Sequence, residues 1–158
     1  RSNCASPPSE ARAPAERVRG HRSERGHAAL SLVPLGRAAG EVLELALRLG
    51  AGLTTVVDLD PQALAACAAN AEANNLDLRV VGPDALGNAT FDIVVANILA
   101  PELVALAVDL RRVLAPSGSL VISGVLEHAH RHVIEALAPL RVVSTDVLDG
   151  WAAVTLCH

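Results

Sequence analysis

The sequence predicts a doubly wound, mostly parallel α/β sheet that closes in an antiparallel hairpin. Three observations carry this expectation. In Phe91-Asp92-Ile93-Val94-Val95-Ala96-Asn97-Ile98-Leu99-Ala100 an apolar run rich in β-branched residues stops at Asn97, and Pro101 then opens a helix-periodic segment. Such a run suits a strand buried on both faces of a parallel sheet, and proline is favoured at the first position of a helix. Short β-prone runs alternate with helix-periodic segments along most of the chain, the pattern of βαβ units. Asp149-Gly150 lies between two β-prone runs near the end, a two-residue hairpin signal. Asn97 is therefore expected at the carboxyl end of a central strand, where open α/β sheets bind ligands. Its plain alternative is a cap for the helix that follows.

Composition bounds what this sheet can be. The 158 residues suffice for one domain with a sizeable core. Hydrophobic residues are 51% and aromatic residues 1%, so the core is aliphatic. No apolar run is long enough to span a bilayer, and no signal-peptide pattern opens the sequence. Cys4, Cys67 and Cys157 lie far apart, with neither metal-ligand spacing nor a disulfide framework, a usage that fits a reducing cytoplasm. A formal charge of −4 argues against general nucleic-acid binding. The chain has no Met, which suggests a processed or incomplete gene product, and no Lys, a composition that looks like the product of a GC-rich genome.

Residues 1–40 hold seven Arg against three Glu, whereas the remainder holds six Arg against fourteen acids. Ser6-Pro7-Pro8-Ser9 and Ala13-Pro14-Ala15 break any helix, and little before Gly26 can be buried. Residues 1–27 are accordingly set apart as a disordered or unrelated segment, and 28–158 as the folded domain. A basic arm touching RNA is the functional reading of that segment; a solvated terminus is the simpler one.

Ala28 to Leu35 is expected as the first strand, Gly36-Arg37-Ala38-Ala39-Gly40 as a turn, and Val42, Leu43, Leu45, Ala46 and Leu49 as one helix face stopped by Gly50. Strand, Gly-containing turn and helix open a nucleotide-binding βα unit. Leu53 to Val57 follows as a strand ending at Asp58-Leu59-Asp60-Pro61, with Asp60 as N-cap and Pro61 as first helical residue. Asp58, at the strand's carboxyl end, suits an acid that accepts hydrogen bonds from the two hydroxyls of a ribose. Ala63, Leu64, Cys67, Ala68 and Ala71 form a small-residue helix face, ended by Asn74-Asn75. Leu78 to Val81 is a third strand, with Asp84 exposed just past its end. Beyond the central stretch, Leu103, Leu106, Ala107, Leu110, Val113 and Leu114 predict one amphipathic helix. Pro116-Ser117-Gly118 reads as a turn, Ser119 to Ser123 as a buried strand closed by Gly124, and Val133, Ile134 and Leu137 as a further helix. Val142-Val143 and Ala152 to Leu156 form the closing pair.

This order resembles the Rossmann-like class I S-adenosylmethionine-dependent methyltransferases. Val56-Val57-Asp58-Leu59-Asp60-Pro61-Gln62-Ala63 looks like that class's ribose-binding segment. Asp92 to Ala100 is similar to the corresponding segment of methyltransferases of large-subunit ribosomal protein eleven, the PrmA family. Leu114-Ala115-Pro116-Ser117-Gly118-Ser119-Leu120-Val121-Ile122-Ser123-Gly124-Val125-Leu126 and Gly150-Trp151-Ala152-Ala153-Val154 resemble the same family. The likeness runs from about Gly40 to Leu156. It departs in the first loop, where Gly36 and Gly40 match the outer glycines but Ala38 replaces the middle one and Pro34 replaces an acid. A Cβ at Ala38 restricts positive φ and crowds a ligand. Gly20-His21 and Gly26-His27 do not reproduce the Gly-Thr-Gly segment that precedes this loop, and the family's amino-terminal, protein-holding domain has no counterpart here.

The resemblance implies S-adenosyl-L-methionine as cofactor, bound by Gly36, Gly40, Asp58, Asp84 and Asn97. It implies methyl transfer to amino groups of a ribosomal protein in the cytoplasm by a monomer, with this chain a fragment or weakened copy. Asn97 is the expected catalytic residue: its amide oxygen, with the Ile98–Leu99 backbone, would orient the target amine, as Asn-Pro-Pro-Tyr segments do in other amino-group methyltransferases. Ile98 in place of the first proline makes that carry-over partial. Two other classes stay open: a non-catalytic Rossmann-like remnant and a nicotinamide-dependent oxidoreductase, which shares the strand–turn–helix and the ribose acid. No metal is expected, since of His128, His130 and His132 adjacent members of the series point to different faces of a helix and lack an acid or Cys partner. No nucleophile-elbow motif surrounds Ser123 or Ser144.

Overall fold

The computed structural model describes residues 27–32 and 51–158, so the Gly36–Gly40 turn, Pro34, Ala38 and the helix expected over 42–49 lie outside the described residues, as does the segment before 27. Seven strands form one sheet, β1 (His27–Leu32), β2 (Ala51–Val57), β3 (Leu78–Val81), β4 (Phe91–Asn97), β5 (Leu114–Leu126), β6 (Arg141–Leu148) and β7 (Trp151–Cys157). They lie in the order β3-β2-β1-β4-β5-β7-β6. β1 begins at His27, one residue before the domain boundary drawn from the sequence. β1 pairs in parallel with both β2 and β4, and β2–β3 and β4–β5 are also parallel. β7 runs antiparallel to both of its neighbours, β5 and β6. The strand order reverses at β1, so β1 and β4 flank the switch point of the sheet.

The helices follow from local signals. α1 (Pro61–Ala73) starts on proline, and the Asp60 side chain accepts the Gln62 N–H at 2.8 Å, a cap worth about 1 kcal/mol. It buries Ala63, Cys67 and Ala71 against the sheet. The amphipathic segment after Asn97 is two helices rather than one: α2 (Ala100–Ala105) and α3 (Ala107–Val113) meet at Leu106, whose ψ of 2° interrupts the helical path. α4 (His130–Ala136) is the last α-helix among the described residues. β5 is also longer than its sequence signal. Pro116–Gly118 does not end the strand; pairing with β4 jumps from Phe91↔Leu114 to Ile93↔Ser119. Proline has no N–H to give the ladder, so the pairing skips this stretch and resumes beyond it. The Asp149–Gly150 turn has positive φ at both residues, 50° and 80°, the geometry that joins two antiparallel strands most tightly.

Adjacent residues of β2 serve different cores because strand side chains alternate. Val57 joins the main cluster with Val94, Ala96, Leu120, Ile122 and the buried faces of α2, α3 and α4. Val56 packs with Cys67 of α1, Leu78 and Val80. Phe91, the lone phenylalanine, is buried, whereas Trp151 at the start of β7 is about half exposed. Thr54 and Thr55 are fully buried, and neither hydroxyl has a hydrogen-bond partner among the described residues. A buried hydroxyl without a partner costs its desolvation and returns nothing. Thr55→Val, which keeps the shape and drops the hydroxyl, is therefore expected to raise stability by about 1 kcal/mol in urea unfolding; a loss of stability would show that the hydroxyl is satisfied in solution.

Candidate functional site

Parallel pairing puts the ends of β2, β3, β4 and the far part of β5 on one edge of the sheet, and the sequence-singled polar residues gather there. Asp58 directly follows β2. Its Oδ1 accepts the Asp60 N–H at 2.9 Å, which folds the Asp58–Asp60 corner. The two acids thus divide the work: Asp60 caps α1 while Asp58 stands at the edge. Asp84 lies in a 3-10 turn, Pro83–Leu86, just past β3. Asn97 is the last residue of β4, half-buried and paired with Ser123 of β5.

Asp58 and Asp84 line one cavity of about 440 Å³, together with Leu59, Leu86, Ile98 and Leu106. Asn97 is on the same edge but outside this lining; its neighbour Ile98 forms the wall on that side. The expected grouping of Asp58, Asp84 and Asn97 at one edge is what the fold presents, whereas Gly36 and Gly40 fall outside the described residues. Asn97 does not cap α2: the N-cap position is Leu99, and it makes no side-chain cap bond.

Several site residues were not singled out from the sequence. Leu59 is 81% exposed despite its size and lines the cavity mouth; an apolar residue held between two acids at a strand end was its signal. Leu86 anchors the 83–86 turn in the core while facing the cavity. Gly124 has φ of 80°, and a Cβ built on it would lie 2.8 Å from the Ile98 carbonyl oxygen and 2.9 Å from Asn97 Oδ1. β5 therefore passes against the Asn97–Ile98 corner so closely that only glycine fits. His128, His130 and His132 follow the end of β5, in a 3-10 turn and α4, and are not in the cavity lining; His130 Nδ1 hydrogen-bonds the Glu127 carbonyl. Among the described residues no three His, Cys, Asp or Glu side chains are grouped to hold a metal ion. No helix among them is long and apolar enough to cross a membrane.

A sheet of this order, with acids after its second and third strands and a closing antiparallel hairpin, defines a Rossmann-like domain of the class I methyltransferase type. Solved structures bear out the fold. A ribosomal protein L11 methylase from Lactobacillus delbrueckii subsp. bulgaricus superposes with a TM-score of 0.70 at 22% identity, covering 85% of this chain and 72% of that one. A TehB-like SAM-dependent methyltransferase from Corynebacterium glutamicum superposes with a TM-score of 0.62 at 15% identity, over 84% of this chain and 80% of that one. The sequence signature of the family described as Ribosomal protein L11 methyltransferase (PrmA) matches residues 35–157, and the chain belongs to that family. The ribosomal protein L11 methyltransferase of Bordetella parapertussis is 44% identical over 121 residues, 76% of this chain and 39% of that protein. The chain thus spans about two fifths of the length of the curated relatives it matches first.

Proposed function

We propose that this chain is the catalytic domain of an S-adenosylmethionine-dependent methyltransferase that acts on amino groups of a ribosomal protein, with weakened cofactor affinity. The observation that carries the reading is the cavity at the carboxyl edge with Asp58 and Asp84 in its wall and the Asn97–Ile98 corner beside it. The residues present fit the cofactor: a carboxylate oxygen for ribose hydroxyls, the Asp84 turn for a purine, and Leu59, Leu86 and Ile98 as apolar walls for its faces. When bound, S-adenosylmethionine supplies an already activated methyl group, so the protein mainly positions the partners. Asp58 accepts from the ribose, the leucines and Ile98 exclude water, and the Asn97 amide oxygen accepts an N–H of the target amine and orients it. Membership of the PrmA family supports the ribosomal-protein substrate. The weakening is argued from Ala38 and Pro34, where the family's loop has glycine and an acid.

Calorimetry with S-adenosylmethionine and S-adenosylhomocysteine tests this reading. Weak binding is expected for the unaltered chain and a clear gain for the Ala38→Gly, Pro34→Asp double variant. Binding by neither protein would leave the non-catalytic remnant standing. Binding of a nicotinamide dinucleotide in their place would make the domain an oxidoreductase.

A further inference from the structure

The turn that carries Asp84 is a single 3-10 element whose N-cap, Gly82, makes no side-chain cap bond; the Ala85 N–H donates to the Gly82 carbonyl at 3.1 Å. Two guanidinium groups hold it from outside. Arg79 of β3 donates through Nη2 to the Ala85 carbonyl at 2.8 Å. Arg112 of α3 donates through Nη1 to the Gly87 carbonyl at 2.5 Å, and its Nε donates to Asp109 Oδ1 at 3.2 Å. Asp109 and Arg112 line the same cavity as Asp84 and Gly87. The fork of Arg112 is thus aimed by Asp109 one turn away and grips a carbonyl 25 residues distant, tying α3 to the loop across the cavity.

We propose that Arg112, with Arg79, is a positioning residue that fixes the 83–87 loop as the base-reading wall of the site, so that Arg112 sets its preference for an aminopurine over an oxopurine. The inference rests on the proposed function and adds to it the element that confers base selectivity. Asp84, as a carboxylate, accepts from an exocyclic amine and repels an exocyclic carbonyl. That discrimination requires a loop that does not yield, because a loop free to shift relieves the repulsion and loses the bond together. Arginine suits the role better than lysine, since its rigid planar donors serve Gly87 and Asp109 at once.

Two measurements on the whole chain test the proposal. In the ligand-free protein, Arg112→Gln is expected to speed amide exchange of Ala85 and Ala89, whose N–H groups bond the Gly82 and Leu86 carbonyls, about tenfold while that of Val94 in β4 stays unchanged. Arg112→Lys is expected to restore part of the protection. In calorimetry, the unaltered chain is expected to prefer S-adenosylhomocysteine over S-inosylhomocysteine about tenfold, the worth of one well-made hydrogen bond, and Arg112→Gln to bring that ratio below about threefold. A merely structural role would weaken both ligands alike and leave the ratio intact, which would overturn the proposal, as would unchanged exchange at Ala85 and Ala89 or equal acceleration at Val94. If neither the unaltered chain nor the Ala38→Gly, Pro34→Asp variant binds either ligand, the functional reading fails and base selectivity with it; the exchange data still judge the loop clamp by themselves.

Discussion

Replacing Gly124 by alanine is expected to destabilise the domain by about 3 kcal/mol and to weaken S-adenosylhomocysteine binding by at least about tenfold. Two costs combine. A φ of 80° is unfavourable for any L residue, and the new Cβ would stand 2.8 Å from the Ile98 carbonyl oxygen and 2.9 Å from Asn97 Oδ1. β5 is paired to β4 through Asn97↔Ser123 and to β7 through Val125↔Ala152, so it cannot back away without breaking ladders on both sides. The Asn97–Ile98 corner must move instead, and Ile98 is a cavity wall. Gly150 provides the control: its φ is also 80°, but nothing lies within 4 Å of a Cβ built there. Gly150→Ala is expected to cost only the backbone term, about 1 kcal/mol, and to leave ligand affinity alone. Urea unfolding and calorimetry on the two variants separate strain from collision. Equal effects of the two would mean that the contact with Asn97 and Ile98 carries no weight.

Asp58→Ala is expected to weaken S-adenosylhomocysteine about 100-fold, and Asp58→Asn about tenfold, because two charge-assisted hydrogen bonds are lost in the first and weakened in the second. The measurement belongs in the Ala38→Gly, Pro34→Asp background, where affinity is expected to be highest. Asparagine keeps an Oδ1 for the Asp60 N–H, so the corner that starts α1 survives. An internal monitor reports whether only the charge has gone. Burial pushes the Cys67 thiol up from its ordinary value, and the Asp58 carboxylate pushes it further. With the folded value raised, the neutral thiol favours the native state, and that contribution fades as pH rises through the thiol's titration. In Asp58→Asn the second cause disappears, so Cys67 is expected to ionise at lower pH, followed by thiolate absorbance. An affinity that does not change in either variant would remove Asp58 from the site.

Much of this site was legible in the sequence because its signals are local. The end of β2 shows in a β-prone run that stops at Asp58, and the start of α1 in Asp60 followed by Pro61, an N-cap and a first-turn residue acting on adjacent backbone. The end of β4 shows in the abrupt change from apolar residues to Asn97. The hairpin turn shows in Asp149-Gly150, since few residue pairs tolerate positive φ twice in succession. Parallel strands must share an edge, so fixing these ends along the chain also placed Asp58, Asp84 and Asn97 on one side of the sheet.

Other features depended on partners far away in sequence. Pro116–Gly118 carries every local mark of a turn, yet β4 and β7 hold the chain extended on either side of it, and pairing outweighed turn propensity. The periodicity from Leu103 to Leu114 continues across Leu106 without a break, and only the backbone there reveals two helices. Nothing in the spacing of Asp58, Leu86, Ile98 and Arg112 links them, because each comes from a different element and the cavity they share exists only once β2, β3, β4 and α3 have packed. Gly124 was visible as a residue closing a strand; that it leaves room for Asn97 and Ile98 is decided by how closely β5 passes the end of β4. Local backbone preferences encode where strands and helices end and the chemistry carried there, whereas what those ends face depends on packing between segments that no local preference describes.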